Sequence, residues 1–142
     1  MAAGKTTLSR ELAAREDAVL LVQDDLLMAL YLREILDIPD FVRCSSRLRD
    51  ALSSHICAPL AKSVSVVLDF PGNTTKQRVW FRAPFEQADV AHELHFIDRP
   101  DDVCKRQLKG RSKHLPPGSP STTDADLDAI TAYLKRLRLR SA

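Results

Sequence analysis

Apolar residues change their spacing several times along this chain, and each change marks an expected element. Leu8 and Leu12 stand four apart and predict a helix; Val19, Leu20, Leu21 and Val22 then form an unbroken run that predicts a short buried strand. After Asp24 and Asp25, helical spacing returns at Leu26, Leu27, Leu30, Tyr31 and Ile35. This helix is expected to end before Pro39, because the residue preceding a proline resists the helical region. A longer helix is expected over 41–62, with Cys44, Leu48, Leu52, Ile56 and Leu60 on one side and a kink at Pro59.

Residues 65–68 are again continuously apolar and close on Asp69, so a second buried strand should deliver that carboxylate to its carboxyl end. The turn formers of 69–74 follow, and Thr74 or Thr75 can cap the next helix, which runs toward Ala88 and should become irregular at Pro84. A third strand is expected over 91–98, stopped by Pro100, then a helix from Asp101 to about Gly110. Residues 111–122 have no periodicity and predict a flap. An amphipathic helix carrying Leu127, Ile130, Leu134 and Leu137 should start near Thr123. Strands alternating with helices imply an α/β fold with a parallel sheet covered on both faces. Ligands of such sheets bind at the carboxyl ends of the strands, where Asp25, Asp69 and Asp98 should meet Lys5.

A length of 142 residues suits one domain, 1–142, with no repeat or linker to divide it. Twenty-one Lys and Arg against nineteen Asp and Glu leave no global field to favour nucleic acid. No apolar stretch is long enough to span a bilayer and no leader pattern is present, so a cytoplasmic protein without membrane contact is expected. Cys44, Cys57 and Cys104 are odd in number and widely spaced, which argues for reduced, buried thiols rather than disulfides or zinc. His92 and His95 would point to opposite faces of a strand and could not share a metal. Trp80, Phe81 and Phe85 read as core.

The strongest chemical signal is Gly4-Lys5-Thr6-Thr7 at the start of a helix. It fills the last places of the phosphate loop G-x-x-x-x-G-K-[ST], in which backbone N–H groups wrap the phosphates, lysine reaches the β/γ oxygens and the hydroxyl holds Mg²⁺. The leading glycine and the strand that feeds the loop would precede Met1. Phosphoryl transfer also needs a carboxylate for the accepting hydroxyl. Asp25 can take that proton, with helix capping as its bland alternative, and Asp69 can serve as a metal-side or water-positioning acid. Arg78 and Arg82, four apart, share a helix face and suit phosphate or form a solvated basic face. Arg106 and Arg111 flank the start of the flap, where an arginine could close over phosphates.

These residues, together with residues 66–74, the Gln77–Arg82 stretch and His92-Glu93-Leu94-His95, resemble the small bacterial P-loop ATP-binding proteins of the AAA_33 type. Those are similar to zeta-toxin, chloramphenicol phosphotransferase and polynucleotide-kinase folds. The resemblance runs from Met1 to about Tyr133. It implies a P-loop NTPase three-layer sandwich lacking its usual first strand. It also implies ATP with Mg²⁺ at Gly4, Lys5, Thr6 and Thr7, an acceptor-site acid at Asp25 and a lid contact at Arg111. Departures are the missing first glycine, Gln107 where relatives often carry a lid arginine, and the basic ending 134–140. An ATP-dependent kinase acting on a small-molecule hydroxyl is the expected function. The rivals are a truncated scaffold acting through protein contacts, including oligomerisation at an open sheet edge, and a nucleic-acid-end kinase.

Overall fold

The computed structural model describes residues 4–95, 97, 102 and 106. The chain divides into two compact units, one of residues 6–93 and one combining 1–5 with 94–142. In chain order the elements are α1 (Lys5–Arg15), β1 (Val19–Val22), α2 (Gln23–Tyr31), α3 (Ile38–Ala61), β2 (Val66–Asp69) and α4 (Thr75–Gln87). The α/β alternation expected from the apolar spacing is present. Both strands fall on the two continuous apolar runs, and they pair in parallel with Val19 opposite Val66 and Val22 opposite Asp69. The connection between them carries α2 and α3, as a parallel pair requires.

The long helix α3 organises the core. Asp37 caps it by accepting a hydrogen bond from the Asp40 amide at 2.8 Å, and Pro39 sits in its first turn, where the missing N–H costs nothing. Pro39 therefore starts α3 instead of stopping α2, which ends earlier, at Tyr31. The four-residue spacing of Cys44, Leu48, Ile56 and Leu60 buries all four, with Leu52 partly covered. Leu27 of α2 packs on Cys44 and Leu48, with Leu26, Tyr31 and Ile35 around them. Phe70, just past β2, is also buried.

Three helices end in the same way. Asp17, Ser63 and Asp89 have φ of 48°, 60° and 54°, and the amide of the next residue reaches back five residues, from Ala18 to Ala13, Val64 to Pro59 and Val90 to Phe85. These are Schellman closures built without glycine. Two of them turn the chain directly toward β1 and β2.

Two further expectations need correction. Helix α4 continues through Pro84 to Gln87. The ring is buried, and its carbonyl accepts from the Ala88 amide at 3.0 Å and lies 3.8 Å from the Cys57 sulfur of α3, so packing outweighs the lost N–H. The strand expected over 91–98 is not formed at the described residues 91–95 and 97. Within 91–95 the one large apolar side chain, Leu94, is 64% exposed, which leaves no buried face to hold a strand. Asp102 and Arg106 are helical, as expected; the flap, Asp98, Cys104 and the C-terminal helix lie outside the described residues.

Candidate functional site

Gly4 has φ of 81°, a left-handed value that glycine adopts without strain, and it leads directly into α1. Lys5, Thr6 and Thr7 form the first turn, which contains no acidic residue. The N-terminus of a helix and the positive end of its dipole favour an anion, and this first turn itself carries no carboxylate. The local donor set therefore fits a phosphate, and the Thr6 hydroxyl is the kind of hard oxygen that Mg²⁺ accepts alongside substrate phosphates and water. No group of three or more His, Cys, Asp or Glu side chains among the described residues could cage a metal.

A second set of groups lies at the carboxyl ends of β1 and β2. Because Val22 is opposite Asp69, residues 23–25 leave β1 at the same end at which Asp69 closes β2. Val22 occupies the N-cap of α2 and makes no side-chain cap bond, so neither Asp24 nor Asp25 is the cap. Both are exposed in the first helical turn, where the dipole stabilises carboxylates and leaves their oxygens toward solvent. Asp69 differs sharply, being 1% exposed. Gln23 is wholly buried; its amide nitrogen is 3.5 Å from the Ser45 hydroxyl, and its amide oxygen has no hydrogen-bond partner among the described residues. Swapping the amide's ends would only exchange which of its two atoms lacks one. Spacing alone gave no hint of Gln23.

The turn after Asp69 is fixed by α4. Thr74 accepts from the Gln77 amide at 3.1 Å, and the Gln77 side-chain oxygen accepts from the amides of Thr74 at 3.1 Å and Asn73 at 2.9 Å. The Thr-x-x-Gln pattern was legible as a capping box, although only Thr74 or Thr75 was expected to matter. A Cβ on Gly72 would lie 2.9 Å from Phe81 Cε2, so this position is glycine for close approach. Phe70 and Trp80 lie 5.3 Å apart, Trp80 and Phe81 5.7 Å apart, and the indole N–H donates to Ser53 of α3 at 3.0 Å.

The arginines are already engaged. Arg78 donates from Nε to the Gly72 carbonyl at 3.0 Å, Arg82 pairs with Glu86 at 2.9 Å, and Arg106 pairs with Asp102 at 3.1 Å. Arg111 lies outside the described residues. His92 stacks on Phe85 with ring centroids 5.8 Å apart, a packing role. Cys44 and Cys57 are free thiols, one buried and one partly so.

A family model described as an AAA domain, AAA_33, matches residues 1–139. No curated protein and no solved structure gives a significant match. The match takes in the glycine-led first turn of α1, the parallel strand pair and the acids at its carboxyl end. The fold is that of a P-loop NTPase, and the chain belongs to the AAA_33 family of nucleotide-binding AAA domains.

Proposed function

We propose that this chain binds Mg·ATP and transfers the γ-phosphoryl group to the hydroxyl of a small molecule. The carrying observation is the first turn of α1: a left-handed Gly4 followed by Lys5, Thr6 and Thr7, with no acid among them. Backbone N–H groups of this turn hold phosphate oxygens, and Lys5 neutralises charge on the β and γ groups. Bound through Thr6, Mg²⁺ would supply Lewis-acid stabilisation of the charge that builds on the phosphate oxygens. From its buried position Asp69 would orient a water beside that metal.

In the transfer itself the acceptor oxygen attacks the γ phosphorus, the bond from that phosphorus to the β–γ bridging oxygen breaks, and ADP leaves. The hydroxyl proton passes to the Asp25 carboxylate, which is exposed and free of a capping bond. Arg82 can reach phosphate only by leaving Glu86, an exposed pair that costs about 1 kcal/mol or less to break. Arg111 is assigned the lid contact by family resemblance.

The test uses γ-labelled ATP and a panel of small alcohols, sugars and amino alcohols, with Asp25→Asn in parallel. Label should appear on at least one acceptor with wild type, and Asp25→Asn should retain ATP affinity while losing about 10²-fold or more in rate. Transfer by Asp25→Asn at the wild-type rate would overturn the role given to Asp25. Binding of ATP with no labelled acceptor, while a 5′-hydroxyl oligonucleotide is labelled, would move the assignment to nucleic-acid ends.

A further inference from the structure

Arg78 is exposed and lies one turn before Arg82, an arrangement that invites a phosphate role. Its contacts point elsewhere. The guanidinium Nε donates to the Gly72 carbonyl at 3.0 Å, six residues back, in the middle of the turn that follows Asp69. That turn is held by α4 at four of its five residues: Asn73 and Thr74 by the Gln77 side chain, Gly72 by Arg78 and by its closeness to Phe81, and Phe70 by Trp80, which is itself tied to Ser53 of α3. A charged donor on a carbonyl is among the stronger hydrogen bonds. It also consumes the Nε–H that a side-on guanidinium fork would offer a phosphate.

We propose that Arg78 is a positioning residue: through the Gly72 carbonyl it fixes residues 70–74 and, through them, the carboxylate of Asp69. The functional part of this rests on the reading that Asp69 serves phosphoryl transfer, whereas the structural part does not. Asp69 is the last residue of β2, with a partner strand up to its own position and only the turn beyond it. A shift of the turn is therefore passed to the strand end that carries this buried carboxylate. Misplacement of a catalytic group by about 1 Å is enough to cost on the order of 10²-fold in rate.

Charge and geometry are separated by two substitutions. Arg78→Lys keeps the charge but loses the guanidinium, and Arg78→Met loses both while keeping much of the apolar stem. Hydrogen exchange of the Asn73 and Thr74 amides is measured in the full chain, together with the fluorescence of Trp80, the sole tryptophan, ATP affinity and turnover. Both variants should exchange these two amides about tenfold faster than wild type, as expected on losing a hydrogen bond to a charged group. ATP affinity should stay within about twofold while turnover falls about 10²-fold in each. Gly72→Ala, which pushes the same turn off Phe81, should reproduce the exchange and turnover changes. If Arg78→Lys matches wild type in exchange and turnover while Arg78→Met binds ATP more weakly, Arg78 is a phosphate contact and the proposal is wrong. Unchanged exchange in both variants also overturns it. A wild-type chain that neither binds nor turns over ATP would refute the function proposed above, and the exchange result would still decide whether Arg78 holds the turn.

Discussion

One buried and one partly buried polar residue carry the sharpest local expectations. Gln23 is fully enclosed with an amide oxygen that has no hydrogen-bond partner among the described residues, a condition that costs about 1–3 kcal/mol. Gln23→Met keeps the length of the side chain and removes that oxygen, so the urea midpoint should hold or rise. A loss of about 2 kcal/mol or more would show that an ordered water satisfies the oxygen in solution. Thr74 is the converse case, a polar side chain whose bond is made. Thr74→Ala should cost about 1 kcal/mol in thermal or urea unfolding, the usual worth of an N-cap. An unchanged midpoint would mean that the Gln77 side chain alone suffices to start α4.

At the scale of elements, the apolar runs 19–22 and 66–68 were legible because no polar residue interrupts them, although the structure leaves their side chains half-buried and Val19 exposed rather than enclosed. The prolines were misleading for a physical reason. Pro39 was expected to stop a helix and Pro84 to make one irregular, yet the first occupies a first turn and the second is held in place by α3–α4 packing. Neither circumstance follows from local propensity. Helix ends were similarly hidden, since glycine would have announced the left-handed closures that Asp17, Ser63 and Asp89 make instead. Ser63→Gly should therefore stabilise the chain by about 1 kcal/mol, with its left-handed strain relieved. Destabilisation would imply that the serine hydroxyl contributes more than the backbone strain.

The start of α3 carries a pH dependence of definite sign. The Leu36 amide donates to the Asp40 carboxylate, and Arg43 pairs with it at 2.7 Å; together they hold its pKa below the ordinary carboxylate value, against a smaller opposing effect of burial. Because the folded pKa is the lower one, this stabilisation is complete above the unfolded-state value and disappears as pH falls through the folded value. Urea midpoints of wild type and Asp40→Asn should differ at neutral pH and converge in that acidic window. Curves that remain parallel would remove Asp40 as the source.

For the whole molecule, fold and site were legible to different depths. The P-loop assignment rested on Gly4-Lys5-Thr6 and the element order after it, and both the α/β elements and the family match over 1–139 agree. Asp25 and Asp69 lie at the carboxyl end of the strand pair, where the rule for parallel sheets put them, whereas Asp98, expected beside them, lies outside the described residues. The bracing of the turn by Arg78, Trp80 and Phe81 was not legible, because it depends on how α4 folds back over residues 70–74. No helix among the described residues is long and apolar enough to cross a membrane.

Whether the Gly4-Lys5-Thr6 turn binds the phosphates of ATP is decided by calorimetric titration of Mg·ATP into the full chain, with Lys5→Ala measured alongside. Wild type should show saturable binding of one nucleotide, and Lys5→Ala, folded by circular dichroism, should lose about tenfold or more in affinity. Equal affinity of the two proteins, or no binding by a folded wild type, would contradict the account.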